Sequence, residues 1–439
     1  MTYFNATKYI RNSPNEVPEK IAGERLRKLW EYLGNPARKL KYLRLAGSNG
    51  KTVCAEMLLS VFKNSEYIAG CFVTPLRSEI RENVKINGTP ISFDQMAHYV
   101  GQIYYAVIAM NKKIEAKNQL LTEEAKKNEI ETVSEEKIVL TAHEILLTAA
   151  LLAFRDAGCD LCLIESDHDH SDPTRYLPPP FAAAICGTIP SNDKKEISKI
   201  RAYLCHGIQE IVSAPQDRDA YGVISETCAA INARLTLPTK TEAKIRSLAL
   251  GGTEFSYRSV PYRLELCGKF QVTNAIVVLE ILSTLKRHGY QLTDGAIAEG
   301  LKKTKIPARF EIVSISPAII VDSTHSDVAI ETVCDSMTDF RAAIGTHICL
   351  CLPNEALALR YVAVLKQQKY QIERMILFDC PSDSPLFAEI PSIKLCQKAK
   401  DAVKYALSEL KQDEILLISG ASDFTSEIRR ELINRLSFS

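Results

Sequence analysis

The feature that most constrains this chain is the stretch Ala46-Gly47-Ser48-Asn49-Gly50-Lys51-Thr52. It follows a strand-like run, Lys41-Tyr42-Leu43-Arg44-Leu45. It precedes Val53, Ala55, Met57, Leu58, Val61 and Phe62, which recur at helical spacing. A glycine turn between a strand and a helix aims several backbone N–H groups, and the positive end of the helix dipole, at one point. Lys51 adds a point charge suited to β- and γ-phosphates, and Thr52 a hydroxyl suited to Mg²⁺. An ordinary Asn-Gly turn is the competing reading, but Gly-Lys-Thr between strand and helix favours a nucleotide site. The first glycine of the long phosphate-loop pattern falls at Leu45, so this loop is a shortened form.

The rest of the chain repeats the alternation. Apolar strand-like runs fall at 69–73, 161–165, 181–188 and 211–215, with helical patterns at 24–33, two more within 92–138, and one at 140–154. The Lys- and Glu-rich pattern over 112–137 reads as a solvated helix or loop. Residues 74–83 hold few apolar side chains and read as a surface loop reaching over the nucleotide. This β-α-β order predicts a parallel, doubly wound sheet with ligands at the carboxyl ends of its strands. Residues 249–266 alternate like a β-hairpin region turning at Gly251-Gly252. A second alternation then runs through strands at 318–321, 347–352, 375–378 and 415–419. Helices are expected from 328, from 355, at 399–410 and at 425–436. A length of 439 residues calls for more than one core. Two α/β domains are expected, and the resemblance at residues 307–311 given below implies their bounds, an ATP-binding domain over 1–305 and a smaller Rossmann-like α/β domain over 306–439.

Charge and composition narrow the class. A net charge of +1 argues against nucleic acid or an anionic membrane as the main partner. No apolar run approaches the ~18 residues of a membrane span, and no leader is indicated, so a cytoplasmic protein is expected. Thirteen scattered cysteines, several inside strand-like runs, read as buried free thiols of a reducing compartment. Cys159-Asp160-Leu161-Cys162 has redox or metal spacing but no companion pair. The strand at 161–165 is followed by Ser166-Asp167-His168-Asp169-His170-Ser171-Asp172. Its carboxylates and imidazoles, His168 and His170 among them, could ligate a divalent metal or contact substrate; a polar loop at a strand end is the plain alternative.

The loop Ala46-Gly47-Ser48-Asn49-Gly50-Lys51-Thr52 resembles the Gly-Thr-Asn-Gly-Lys loop of the Mur ligase superfamily. Thr74-Pro75-Leu76-Arg77-Ser78-Glu79-Ile80-Arg81-Glu82-Asn83-Val84-Lys85-Ile86-Asn87-Gly88 is similar to the Ser-Pro-His-Leu…Arg-Glu-Arg-Ile-x-Ile-Asn-Gly segment of the folylpolyglutamate synthase/dihydrofolate synthase family. Glu24-Arg25 with Leu29, and Leu33-Gly34-Asn35-Pro36, resemble its lead-in. Gly268 to Ala275 resembles its Gly-x-x-Gln-x-x-Asn-Ala, and Pro307-Ala308-Arg309-Phe310-Glu311 its domain junction. The resemblance covers nearly the whole chain.

The resemblance implies a Mur-ligase-like fold and an ATP-dependent acid–amino-acid ligase. In that family MgATP phosphorylates a carboxylate of a folate or pteroate, and the amine of glutamate attacks the acyl phosphate. Gly47, Ser48, Asn49, Gly50, Lys51 and Thr52 would hold the phosphates. Thr52, Thr74 and Glu144 would hold Mg²⁺, Asn274 and Arg309 would face the nucleotide, and Asp322 and His325 would act with Lys51 in catalysis. A monomer is expected. Departures cluster around a second metal. The family's Gly-rich segment after Glu165 becomes residues 166–170, and its Leu-Asp-His becomes Ile189-Pro190-Ser191-Asn192-Asp193. Its carboxylated lysine falls at Arg201, which stays protonated. Two functions therefore stand: an active ligase, with His168 or His170 replacing the missing histidine, or a degenerate nucleotide-binding relative acting as a regulatory or partner subunit. A Mur-type peptide ligase fits Gly-Lys-Thr but not residues 74–88.

Overall fold

The computed structural model describes residues 1–14, 16, 19–47, 49–74, 79–128, 134–167, 172–189, 191–205, 207–238, 240–323 and 327–437. His168, His170, Ser48 and His325 lie outside them. Two compact units emerge, residues 1–238 with 277–300, and residues 239–276 with 301–439.

The first unit is built on an eight-stranded sheet. Its spatial order is Thr89–Pro90, Val84–Ile86, Ala69–Phe72, Leu161–Glu165, Tyr42–Ala46, Ala182–Ile185, Glu210–Ser213 and Arg234–Thr236. All neighbours pair parallel except the first two strands, which form an antiparallel edge. Tyr42–Ala46 is buried along its whole length, as a parallel strand covered on both faces must be. The chain leaves it into the helix Lys51–Lys63, which buries eight side chains from Val53 to Phe62. Helix Ala142–Asp156 starts with a capping box between Thr141 and Glu144 and then buries every residue from Glu144 to Phe154. It packs into a large apolar cluster with Leu26, Leu29 and Trp30 of the helix Glu19–Tyr32 and Val100 and Ile103 of the helix Phe93–Asn128.

Two expectations change here. The two helical patterns read within 92–138 give, among the described residues, a single helix of 36 residues, Phe93–Asn128. Its Lys- and Glu-rich end meets Glu135, whose carboxylate pairs with both Lys28 and Lys117. The stretch read as a surface loop buries Thr74, Ile80 and Asn83, because Ile80 joins the apolar cluster and Asn83 donates to the Val73 carbonyl.

The second unit holds a six-stranded sheet in the order Glu311–Ile315, Ala318–Asp322, Glu414–Ser419, His347–Asn354, Gln371–Asp379, Ser392–Leu395. It is parallel apart from its first strand. The alternating region forms three antiparallel strands, Ala243–Ala249, Gly252–Tyr257 and Val260–Leu264. These group with the second unit rather than with the ATP-binding domain expected over 1–305. Leu248 and Leu250 explain it: they pack on the cluster of Ala318, Ile320 and Leu350. Among the described residues no helix is long and apolar enough to cross a membrane.

Candidate active site

The phosphate loop is shaped from behind by the next strand. Gly47 has φ +107°, and a Cβ there would lie 2.3 Å from the Cys186 carbonyl oxygen, so this position admits only glycine. Gly50, at φ 82°, is the N-cap of Lys51–Lys63 and supplies no side-chain cap. The first N–H groups of that helix are thus left to whatever anion reaches them.

Lys51 is the centre of a small charged cluster. Its ammonium donates to Asp167 Oδ1 at 2.6 Å and to the Gly47 carbonyl at 2.7 Å. Asp167 Oδ2 accepts from Thr74 Oγ1 at 3.1 Å, and the buried Glu165 accepts from Thr74 N at 3.2 Å. Burial alone would lower the Lys51 pKa; the charge and hydrogen bond of Asp167, with Glu165 and Glu196 beyond, outweigh it and raise the pKa. Tyr203, buried on the helix Lys194–Tyr203, places its hydroxyl 2.7 Å from Glu196 Oε1 and 3.2 Å from the Asp167 carbonyl. Burial first, and the bond to Glu196 next, push this phenol well above its ordinary value. Asp167, Glu196 and Tyr203 were not singled out from sequence. The spacing of Glu196, Ile200 and Tyr203, one face of a helix, was the signal available.

Thr74 lies in this cluster; Glu144 is engaged elsewhere. Both its carboxylate oxygens are 2.7 Å from Arg25 Nη2, and Oε2 also accepts from Thr141 N at 2.7 Å. Its charge is matched here by Arg25, and one of its oxygens serves the helix cap.

In the second unit Asp322 closes the strand Ala318–Asp322 and accepts from Phe310 N at 2.6 Å. Ser323 N donates to the Ala308 carbonyl at 2.8 Å, and Arg309 Nη1 approaches the Ser323 carbonyl at 3.4 Å. Ala308 and Phe310, on either side of Arg309, hold φ of 53° and 48°. Left-handed backbone at two non-glycine residues costs of order 1–3 kcal/mol each and is a mark of functional segments. Glu311, which accepts from Ala308 N and pairs with Arg429, fastens this turn. Asn274 is buried and donates to Gln271 Oε1 at 3.2 Å. His325 lies outside the described residues.

No family model matches this sequence. Among curated proteins, the dihydrofolate synthase/folylpolyglutamate synthase of Bacillus subtilis is 24% identical over 438 residues, covering 93% of this chain and 94% of its own. The folylpolyglutamate synthase of Lacticaseibacillus casei is 21% identical over 452 residues, covering 99% of both. The chain is similar to folylpolyglutamate synthases over nearly its whole length. The crystal structure of the Thermotoga maritima folylpolyglutamate synthase, 19% identical, superposes with a TM-score of 0.77 over 99% of this chain and 97% of that one, so the two share a fold.

Against the family pattern, the departures have local explanations. Arg201, at the place of the carboxylated lysine, is on the outer face of its helix, with its side chain 71% exposed and 3.8 Å from Glu226. Residues 189–193 replace Leu-Asp-His with capping chemistry: Asp193 Oδ1 accepts from Glu196 N at 3.0 Å to start the helix Lys194–Tyr203. Neither change supplies a metal ligand. Cys159 and Cys162 are buried thiols, like most of the thirteen, so their spacing marks packing.

The donor set near the phosphate loop suits a hard cation. Hydroxyls of Thr52 and Thr74 and the carboxylate of Asp167 are all oxygen ligands, as Mg²⁺ requires. Among the described residues no group of three or more His, Cys, Asp or Glu converges as a metal cage.

Proposed function

We propose that this protein is an ATP-dependent carbon–nitrogen ligase that joins glutamate to a folate- or pteroate-like carboxylic acid. One observation carries the reading: a half-buried lysine ammonium at a helix N-terminus whose N-cap glycine offers no side-chain cap, inside a chain aligned end to end with the Lacticaseibacillus casei synthase. Lys51 and the loop N–H groups bind and orient the phosphates and stabilise charge as the γ-phosphoryl group moves to the acid. Thr52, Thr74 and Asp167 would hold Mg²⁺, which would supply neutralisation of phosphate charge. The resulting acyl phosphate carries a good leaving group, and the glutamate amine displaces it. The proposal extends to Asn274 and Arg309 as nucleotide contacts, and to Asp322 and His325 as catalytic groups, the roles the resemblance implies. It also places the protein in the cytoplasm as a monomer; its thirteen free cysteines support a reducing compartment. The test is ADP release with MgATP and glutamate, scanned over dihydropteroate, tetrahydrofolate and neither. Acceptor-dependent release, abolished by Lys51→Ala, is expected. ATP binding without turnover under every condition would instead make this a degenerate relative.

A further inference from the structure

The segment after the strand Leu161–Glu165 is where the chain departs most from its family, and it brings a carboxylate to the phosphate loop. The strand pairs with Tyr42–Ala46 so that Leu45 stands opposite Glu165. A residue two positions past the end of one strand therefore arrives beside the loop that follows the other. Asp167 is that residue. Its backbone is pinned: Asp167 N donates to Asp172 Oδ2 at 2.9 Å, and Ser166 Oγ lies 2.8 Å from the same oxygen. Asp172 is 1% exposed, a fixed post. The Asp167 side chain is 39% exposed. One of its oxygens holds Lys51 and the other accepts from Thr74.

A phosphate-loop lysine ordinarily offers its ammonium to β- and γ-phosphates. Here that ammonium already has an anionic partner, and an entering phosphate meets a negative charge beside its own binding cation. Like charges at such range repel unless a cation comes between them. The hydroxyl of Thr74 touches the same carboxylate, and Glu144, expected to supply the metal-binding carboxylate, is tied to Arg25. We propose that Asp167 makes nucleotide binding conditional on a divalent cation. Without metal it is the counter-ion of Lys51 and opposes the phosphates. With Mg²⁺ it would turn from Lys51 and, with Thr74, hold the cation, leaving Lys51 for the nucleotide.

This inference rests on the nucleotide reading given above, and the two can fail separately. The experiment measures the ATP dissociation constant of the full chain in EDTA and in excess Mg²⁺, for the wild type, Asp167→Asn and Asp167→Gly. Both substitutions should tighten metal-free binding and weaken metal-dependent binding. The ratio of the two constants should then fall by roughly ten- to hundredfold, the size of an ordinary coupling between two ligands. A ratio unchanged in both variants overturns the role of Asp167 and leaves the nucleotide site standing. Failure of the wild type to bind ATP with or without metal overturns both.

Discussion

Replacing Arg25 by methionine should destabilise the first unit severely, and the structure sets the scale. The Arg25 and Glu144 side chains are 7% and 4% exposed. Arg25 contacts both carboxylate oxygens and also donates to the Val139 carbonyl. Methionine fills much of the space of arginine but leaves the Glu144 carboxylate buried with only the Thr141 N–H. Breaking a buried pair in this one-sided way costs about 3–5 kcal/mol. At about 2–4 °C per kcal/mol for a unit of this size, the midpoint should fall by roughly 6–20 °C. Trp30 provides the probe. It is the one tryptophan in the chain, it is buried on the same helix as Arg25, and its Nε1 donates to Thr148 Oγ1 at 3.0 Å on the helix that Glu144 caps. Its fluorescence reads the loss of this packing during thermal unfolding. The double variant Arg25→Met/Glu144→Gln leaves no bare charge and should recover part of the loss. A cost below about 1 kcal/mol, the value of a surface pair, would refute the assignment of Glu144 to a buried structural pair.

Other perturbations separate the parts of the site. Gly47→Ala combines a left-handed φ with a Cβ 2.3 Å from the Cys186 carbonyl, so nucleotide binding measured by calorimetry should be lost well before the fold is. The Lys51 pKa is raised, so its charge, and the stability its ion pair contributes, are fully present below the ordinary lysine value of about 10.4 and lost only as pH rises past the higher folded value. ATP affinity should therefore show no lysine-type loss between pH 7 and about 9.5; such a loss would contradict the pairing with Asp167. Burial pushes the Cys228 and Cys267 thiols up to about 11, and Cys334 and Cys349 to about 12, and only Cys205 and Cys380 of the thirteen are partly exposed. Rapid labelling by an aromatic disulfide at neutral pH should stop at these two, as peptide mapping can show.

What the sequence made legible was local. Strand, glycine turn, Lys51-Thr52 and amphipathic helix lie within some twenty consecutive residues and need no distant partner to be read. The βα alternation of both units is local in the same sense. The unread parts depend on residues far apart. Arg25 meets Glu144 across 119 positions, and Lys51 meets Asp167 across 116. Nothing in a single sequence announces either pair. Arg201 was legible as a departure by position, but not its direction: the turn of the helix buries Glu196, Ile200 and Tyr203 and sends Arg201 outward. The three strands from Ala243 to Leu264 precede the expected boundary in sequence, yet Leu248 and Leu250 find their apolar neighbours in the second unit.

The central claim is that this phosphate loop drives ligation of glutamate. Incubating the purified protein with MgATP, glutamate and either dihydropteroate or tetrahydrofolate, and weighing the acceptor by mass spectrometry, tests it directly. Acceptor heavier by one glutamyl residue, formed only with ATP and absent with Lys51→Ala, is the predicted result. An acceptor of unchanged mass beside a protein that demonstrably binds MgATP would contradict it.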